Sequence, residues 1–113
     1  MVKRKYEPQA STWALPGGMV ELNEEVVSAA QRELKEETGL ETKRTDLEFI
    51  DFFDAPDRDP RGRVISFAYG FALQQEVNLK AASDAAEIQW FALDELPELA
   101  FDHRTIIARW EER

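Results

Sequence analysis

Gly18-Met19-Val20-Glu21-Leu22-Asn23-Glu24-Glu25-Val26-Val27-Ser28-Ala29-Ala30-Gln31-Arg32-Glu33-Leu34-Lys35-Glu36-Glu37-Thr38-Gly39-Leu40 is the stretch around which the rest of the chain is read. From Glu24 to Thr38 the apolar residues recur at helical spacing, which predicts a helix there. Asn23 is a suitable N-cap, Glu24 and Glu25 suit the positive end of the helix dipole, and Gly39 suits the C-cap. Val26, Val27, Ala30 and Leu34 project onto one face, which the pattern predicts to be buried. With about 100° between successive residues, Glu33 and Glu37 fall at the edge of that face and Glu36 falls just beside them. Like charges at these spacings each cost a few tenths of a kcal/mol. Arg32, spaced to pair with Glu36, and Lys35 offset only part of that cost. Sequences break local rules of this kind at functional sites, and clustered carboxylates are what hard divalent cations bind. A solvated acidic face fits the same residues equally well when they are taken alone.

Working outward, 113 residues with 43% hydrophobic and 33% charged side chains describe one globular domain spanning 1–113. The chain has no cysteine, so disulfides and thiolate metal sites are excluded. No apolar run approaches the length of a membrane span, and the basic start Met1-Val2-Lys3-Arg4-Lys5 lacks the apolar stretch of a signal peptide. A cytoplasmic protein without membrane contact is expected. The net charge of −9 argues against nucleic acid as a partner. It favours phosphate binding through a metal bridge over direct capture by the protein.

Other elements are expected as follows. Val2–Tyr6 reads as the tail of a strand, Glu7–Thr12 as a polar loop and Pro16-Gly17-Gly18 as a turn. Leu47–Phe53, Val64–Leu73 and Ile88–Ala92 read as strands, with a charged, twice-prolyl loop at 54–62. A helical turn starts at Asp94, and Asp102–Glu111 closes the chain as a helix. Strands mixed with two helices predict an α/β layered fold.

The spacing Gly18, five residues, Glu24, seven residues, Arg32-Glu33-Leu34, one residue, Glu36-Glu37, one residue, Gly39-Leu40 resembles the Nudix box at every defining position. A chance match is on the order of one in a billion per start position, which decides against the solvated acidic face. The resemblance implies a Nudix-type α/β/α sandwich with a mixed sheet. It implies Glu33, Glu36 and Glu37 as metal carboxylates, the Gly17 carbonyl as a further ligand, and Mg²⁺, or Mn²⁺ in its place, as cofactor. Arg32 would orient the glutamates, Glu24 would support them, and Leu34 and Leu40 would be core. The implied reaction is attack of an activated water on a diphosphate phosphorus, with a carboxylate taking the proton. Members of the family often draw the base from a later loop, which makes Asp84 and Glu87 candidates.

Trp13-Ala14-Leu15-Pro16-Gly17-Gly18, the run Pro56–Arg63 and Phe101-Asp102-His103 look like the ADP-ribose pyrophosphatase branch. They imply a small nucleotide substrate, ADP-ribose cleaved to AMP and ribose 5-phosphate, with Arg58, Arg61 or Arg63 on the phosphates. Salt bridges of these arginines to Asp57 and Asp59 are the competing reading. Phe52, Phe53 or Phe101 would stack on adenine, or serve as core. His103 reads as structural, capping the last helix with Asp102. Alternatives are a nucleoside triphosphate substrate or a non-catalytic ADP-ribose sensor. Related domains carry a strand region before the segment matching Val2–Pro8. The sheet is therefore expected to be short of that N-terminal strand region, and a homodimer could complete it.

Overall fold

The computed structural model describes residues 1–79 and 85–112. One sheet has the order β2-β1-β5, formed by Trp13–Ala14, Val2–Arg4 and Ala85–Ile88. Both ladders are antiparallel, with Val2 opposite Ala14 on one side and Ile88 on the other. Trp13 adds a parallel bridge to Leu99, so the pairing is mixed. The strand at the start of the chain is thus the centre of its sheet, not an edge. It is paired on one side by Ala85–Ile88 and on the other by Trp13–Ala14, which the polar loop returns alongside it. A second, two-stranded sheet pairs β3 (Glu48–Phe53) with β4 (Ser66–Gly70), with Phe52 opposite Phe67 and Phe49 opposite Tyr69.

Helix α1 covers Val26–Thr38 and α2 covers His103–Glu111. The expected start of α1 at Glu24 is corrected to Val26, and Asn23 is not its cap. Asn23 takes a left-handed φ of 65°, and Glu24 turns back to accept the Glu21 amide at 3.0 Å. Glu25 takes the cap position with no side-chain cap bond. Its carboxylate is instead gripped at both oxygens by Arg44, at 2.8 and 3.1 Å. At the other end Gly39 adopts φ 79° and its N–H donates to the Lys35 carbonyl, as the C-cap reading expects. Full burial on α1 goes to Ala29 and Thr38, while Val26, Val27, Ala30 and Leu34 are half-buried. The Thr38 hydroxyl donates to the Leu34 carbonyl at 2.6 Å and accepts the Leu40 amide at 3.1 Å, closing the helix end.

The strand expected at Ile88–Ala92 lies earlier, at Ala85–Ile88, where its register with β1 is set. Helix α2 packs on β3 and α1 on β4. Trp110 lies so close over Gly70 that any Cβ there would overlap its ring. Arg109 adds an ion pair to Asp51 and stacks over the Phe53 ring at 5.8 Å. A small cluster of Val2, Ala14 and Ala100, flanked by Ile88 and Phe101, joins the three-stranded sheet to the entry of α2. No helix among the described residues is long and apolar enough to cross a membrane.

Candidate active site

The site is built where the turn after β2 meets the acidic face of α1. Strand β2 is held on both sides, by β1 and by the segment ahead of α2. The Trp13 amide donates to the Glu98 carbonyl at 3.0 Å, and the Ala100 amide donates to the Trp13 carbonyl at 2.8 Å. The chain then runs through Leu15 and Pro16 into Gly17-Gly18, directly against the helix. The Gly17 amide donates to Glu37 Oε2 at 2.6 Å. Gly18 has the Glu33 carboxylate against its Cα, so closely that a Cβ would overlap the Glu33 carboxyl carbon and both oxygens. A side chain at 18 would have to push the end of Glu33 aside. A Cβ at Gly17 would meet nothing within 4 Å.

Arg32 organises the remaining acids. It grips Glu24 with two bonds, Nε to Oε2 at 2.8 Å and Nη2 to Oε1 at 3.0 Å. It reaches Glu33 at 2.7 Å, Glu36 at 3.3 Å and the Met19 carbonyl at 3.0 Å. The expected pairing with Glu36 is present but is the longest of these bonds. The supporting place expected for Glu24 arises because this residue sits ahead of the helix, where it can meet Arg32. Hydrogen bonds from Arg32, then from the Glu21 amide, hold the Glu24 carboxyl below the usual carboxylate range. Glu33 and Glu24 side chains are 16% and 15% exposed, whereas Glu36 is 53% exposed.

In kind, this donor set of carboxylates beside a glycine turn fits a hard divalent cation. The Glu33 carboxylate already fills the space that a Cβ at Gly18 would take. Among the described residues, however, no three acids are gathered about one point. Arg32 draws Glu33 and Glu36 to one side while the Gly17 amide draws Glu37 to the other.

The later candidates are distributed differently. Asp84 lies outside the described residues. Glu87 lies within β5 opposite Lys3, exposed, rather than in a loop. Arg58 is not a surface arginine: its side chain is 4% exposed. It grips both oxygens of Asp102 at 2.8 and 2.6 Å and donates to Ser66 Oγ at 2.7 Å and to the Val64 carbonyl. These bonds tie the 54–65 loop to Asp102 at the entry of α2, which is the competing salt-bridge reading with a different aspartate. Arg61 pairs with Asp59 at 2.7 and 3.0 Å, and this pairing holds the buried Asp59 carboxyl down at about 2. The Arg61 guanidinium, over half exposed, stacks on the Phe101 ring at 5.1 Å, and Arg4 stacks on the same ring at 4.9 Å. Arg63 is exposed and donates to the Asp54 carbonyl. Phe53 is core, while Phe52 and Phe67 remain about half exposed as a pair.

Asp102 occupies the N-cap position of α2 without a side-chain cap bond, because Arg58 takes both its oxygens. His103 does not cap either: its Nδ1 accepts the Leu15 amide at 3.0 Å. Burial pushes its pKa down to about 4, and the nearby Asp102 carboxylate restores only part of that. The run Phe101-Asp102-His103 was the visible signal of these two contacts, although neither partner could be read from it.

A turn of two glycines is thus set on the acidic face of α1, and Arg32 binds three of the neighbouring acids. Residues 1–110 match the NUDIX domain family. An ADP-ribose pyrophosphatase of Methanocaldococcus jannaschii is 46% identical over 98% of this chain, which spans 66% of that protein. The bifunctional NMN adenylyltransferase/ADP ribose pyrophosphatase of Francisella tularensis superposes with a TM-score of 0.87 at 35% identity, over all of this chain and 36% of its own. The NUDIX domain of Shewanella oneidensis NrtR, solved with ADP ribose, gives 0.84 at 26% identity, over 99% of this chain and 74% of its own. The chain belongs to the Nudix family and has its α/β fold. It spans less than two thirds of the first relatives' length.

Proposed function

We propose that this chain hydrolyses the diphosphate of ADP-ribose to AMP and ribose 5-phosphate, with Mg²⁺ as cofactor and Mn²⁺ able to replace it. The observation that carries the reading is the seating of Glu33 and Glu37 on the Gly17-Gly18 turn, in a chain 46% identical to an ADP-ribose pyrophosphatase. Glu33, Glu36 and Glu37, with the Gly17 carbonyl, would hold the cation. When bound, the cation supplies charge neutralisation on the diphosphate and a lowered water pKa. The carboxylates of this face then take the proton from the attacking water, and Arg32 keeps Glu33 and Glu36 turned toward one another. Glu87 and Asp84 are the further candidates for the base.

Substrate recognition falls to the exposed Arg61 and Arg63 and to Phe101, whose ring is already flanked by two guanidiniums. The assay is AMP release from ADP-ribose with and without Mg²⁺. Release only with the metal supports the reading. Turnover of nucleoside triphosphates with ADP-ribose untouched rejects the substrate. The likeness to the ADP-ribose-bound NrtR domain favours one second reading, a non-catalytic sensor. Tight ADP-ribose binding without release of AMP in Mg²⁺ would select it.

A further inference from the structure

Between β2 and the Gly17-Gly18 turn the chain crosses only Leu15 and Pro16, and proline has no amide hydrogen to anchor it. Among the described residues, two amide hydrogen bonds tie this crossing. One is donated by Gly17 to Glu37, a side chain that must itself serve the chemistry. The other is donated by the Leu15 amide to Nδ1 of His103, 88 residues away in sequence. We propose that His103 is a positioning residue, whose imidazole fixes the Leu15 amide and so sets the Gly17-Gly18 turn against Glu33 and Glu37. The inference rests on the hydrolase reading for its consequence, but not for the contact itself.

The imidazole is well placed for this. It begins α2, whose entry is bound to β2 by the Ala100–Trp13 hydrogen bond, and the residue before it is clamped by the buried Arg58. The turn therefore inherits its position from the entry of α2, which is itself bound to β2 and to Arg58. Accepting an amide hydrogen requires a lone pair on Nδ1, so the ring is neutral with its proton on Nε2. Partners that orient metal-binding groups from behind typically change metal affinity or activity by about 10–100-fold when removed.

The test compares the wild-type chain with His103→Phe, which keeps the volume but removes the acceptor, and His103→Asn, whose Oδ1 reaches the position of Nδ1. Amide hydrogen exchange in metal-free protein reads the turn. Mn²⁺ titration, with kcat and KM for ADP-ribose, reads the site. We expect His103→Phe to exchange faster at Leu15 and Gly17, to bind Mn²⁺ about tenfold more weakly and to lose a similar factor in kcat with KM little changed. His103→Asn should stay close to wild type in all of these. Unchanged exchange in His103→Phe overturns the proposal, as does unchanged Mn²⁺ affinity and kcat beside an active wild type. Equal loss in His103→Asn overturns it too. An inactive wild type showing the expected exchange pattern rejects the hydrolase reading while supporting the contact. Should His103→Phe fail to fold, His103→Gln, whose acceptor falls away from the Nδ1 position, replaces it.

Discussion

The carboxylate of Glu37 accepts the amide hydrogen of Gly17 at 2.6 Å, so the turn that leaves β2 is bonded directly to the last turn of α1. Glu37 and the glycine turn are therefore one mechanical unit. Glu37→Gln keeps an oxygen that can accept this bond but removes the negative charge. We expect the melting temperature to hold while AMP release from ADP-ribose falls by about 10²–10⁴-fold, the range for a lost acid–base group. Wild-type turnover in that variant would remove Glu37 from the chemistry.

The two adjacent glycines should respond oppositely to alanine. At Gly18 the new methyl overlaps the Glu33 carboxylate, and at Gly17 it meets nothing within 4 Å. Gly18→Ala should weaken divalent-ion binding by about tenfold or more by displacing Glu33, whereas Gly17→Ala should bind the ion nearly as wild type does. Calorimetric titration with Mn²⁺ measures both, and equal affinities for the two variants would contradict the close approach.

Arg58 and Arg61 separate stability from recognition. Removing Arg58 leaves Asp102 without its two-pronged partner beside a guanidinium site that is 4% exposed. Arg58→Met should cost about 3–5 kcal/mol, the usual penalty for breaking a buried pair, read from urea unfolding. Arg61→Ala should instead raise KM for ADP-ribose with kcat largely kept. A destabilised Arg61→Ala with unchanged KM would return that residue to a purely structural role.

The single histidine makes stability depend on pH. Its folded pKa is depressed to about 4, from the usual 6.5, by burial. Asp102 acts against that shift, and Arg58 and Arg4 act with it. Between these values the unfolded chain binds the extra proton, so stability rises with pH. The contribution is complete above about 6.5, declines as pH falls and is gone near 4, amounting to about 3 kcal/mol. Wild type should therefore lose more stability than His103→Asn between pH 7 and pH 4.5 in matched urea titrations. Parallel losses would mean that the ring is already charged in the folded protein.

The helix from Val26 to Thr38, its glycine cap and the set of carboxylates on it were legible in the sequence. Each depends on residues within a few turns of one another. The helix start was displaced because Glu24 and Glu25 answer to partners elsewhere in the chain: Glu24 is held by Arg32, and Glu25 by Arg44 in the following 3-10 turn at Arg44–Asp46. The strand expected at Ile88–Ala92 moved for a similar reason, since pairing with Val2–Arg4, and not composition, sets where that ladder ends.

By itself, the sequence determined the chemistry available to this protein: the number and kind of oxygen donors, their helical spacing and the glycines beside them. Those properties are local and follow from residue type and backbone periodicity. Only the tertiary structure decided which groups meet. It placed Glu33 on Gly18, bound Glu37 to Gly17, committed Arg58 to Asp102 and brought His103 to Leu15. These partners lie between 15 and 88 residues apart, and contacts at such separations are chosen by how whole elements pack, which no local pattern encodes.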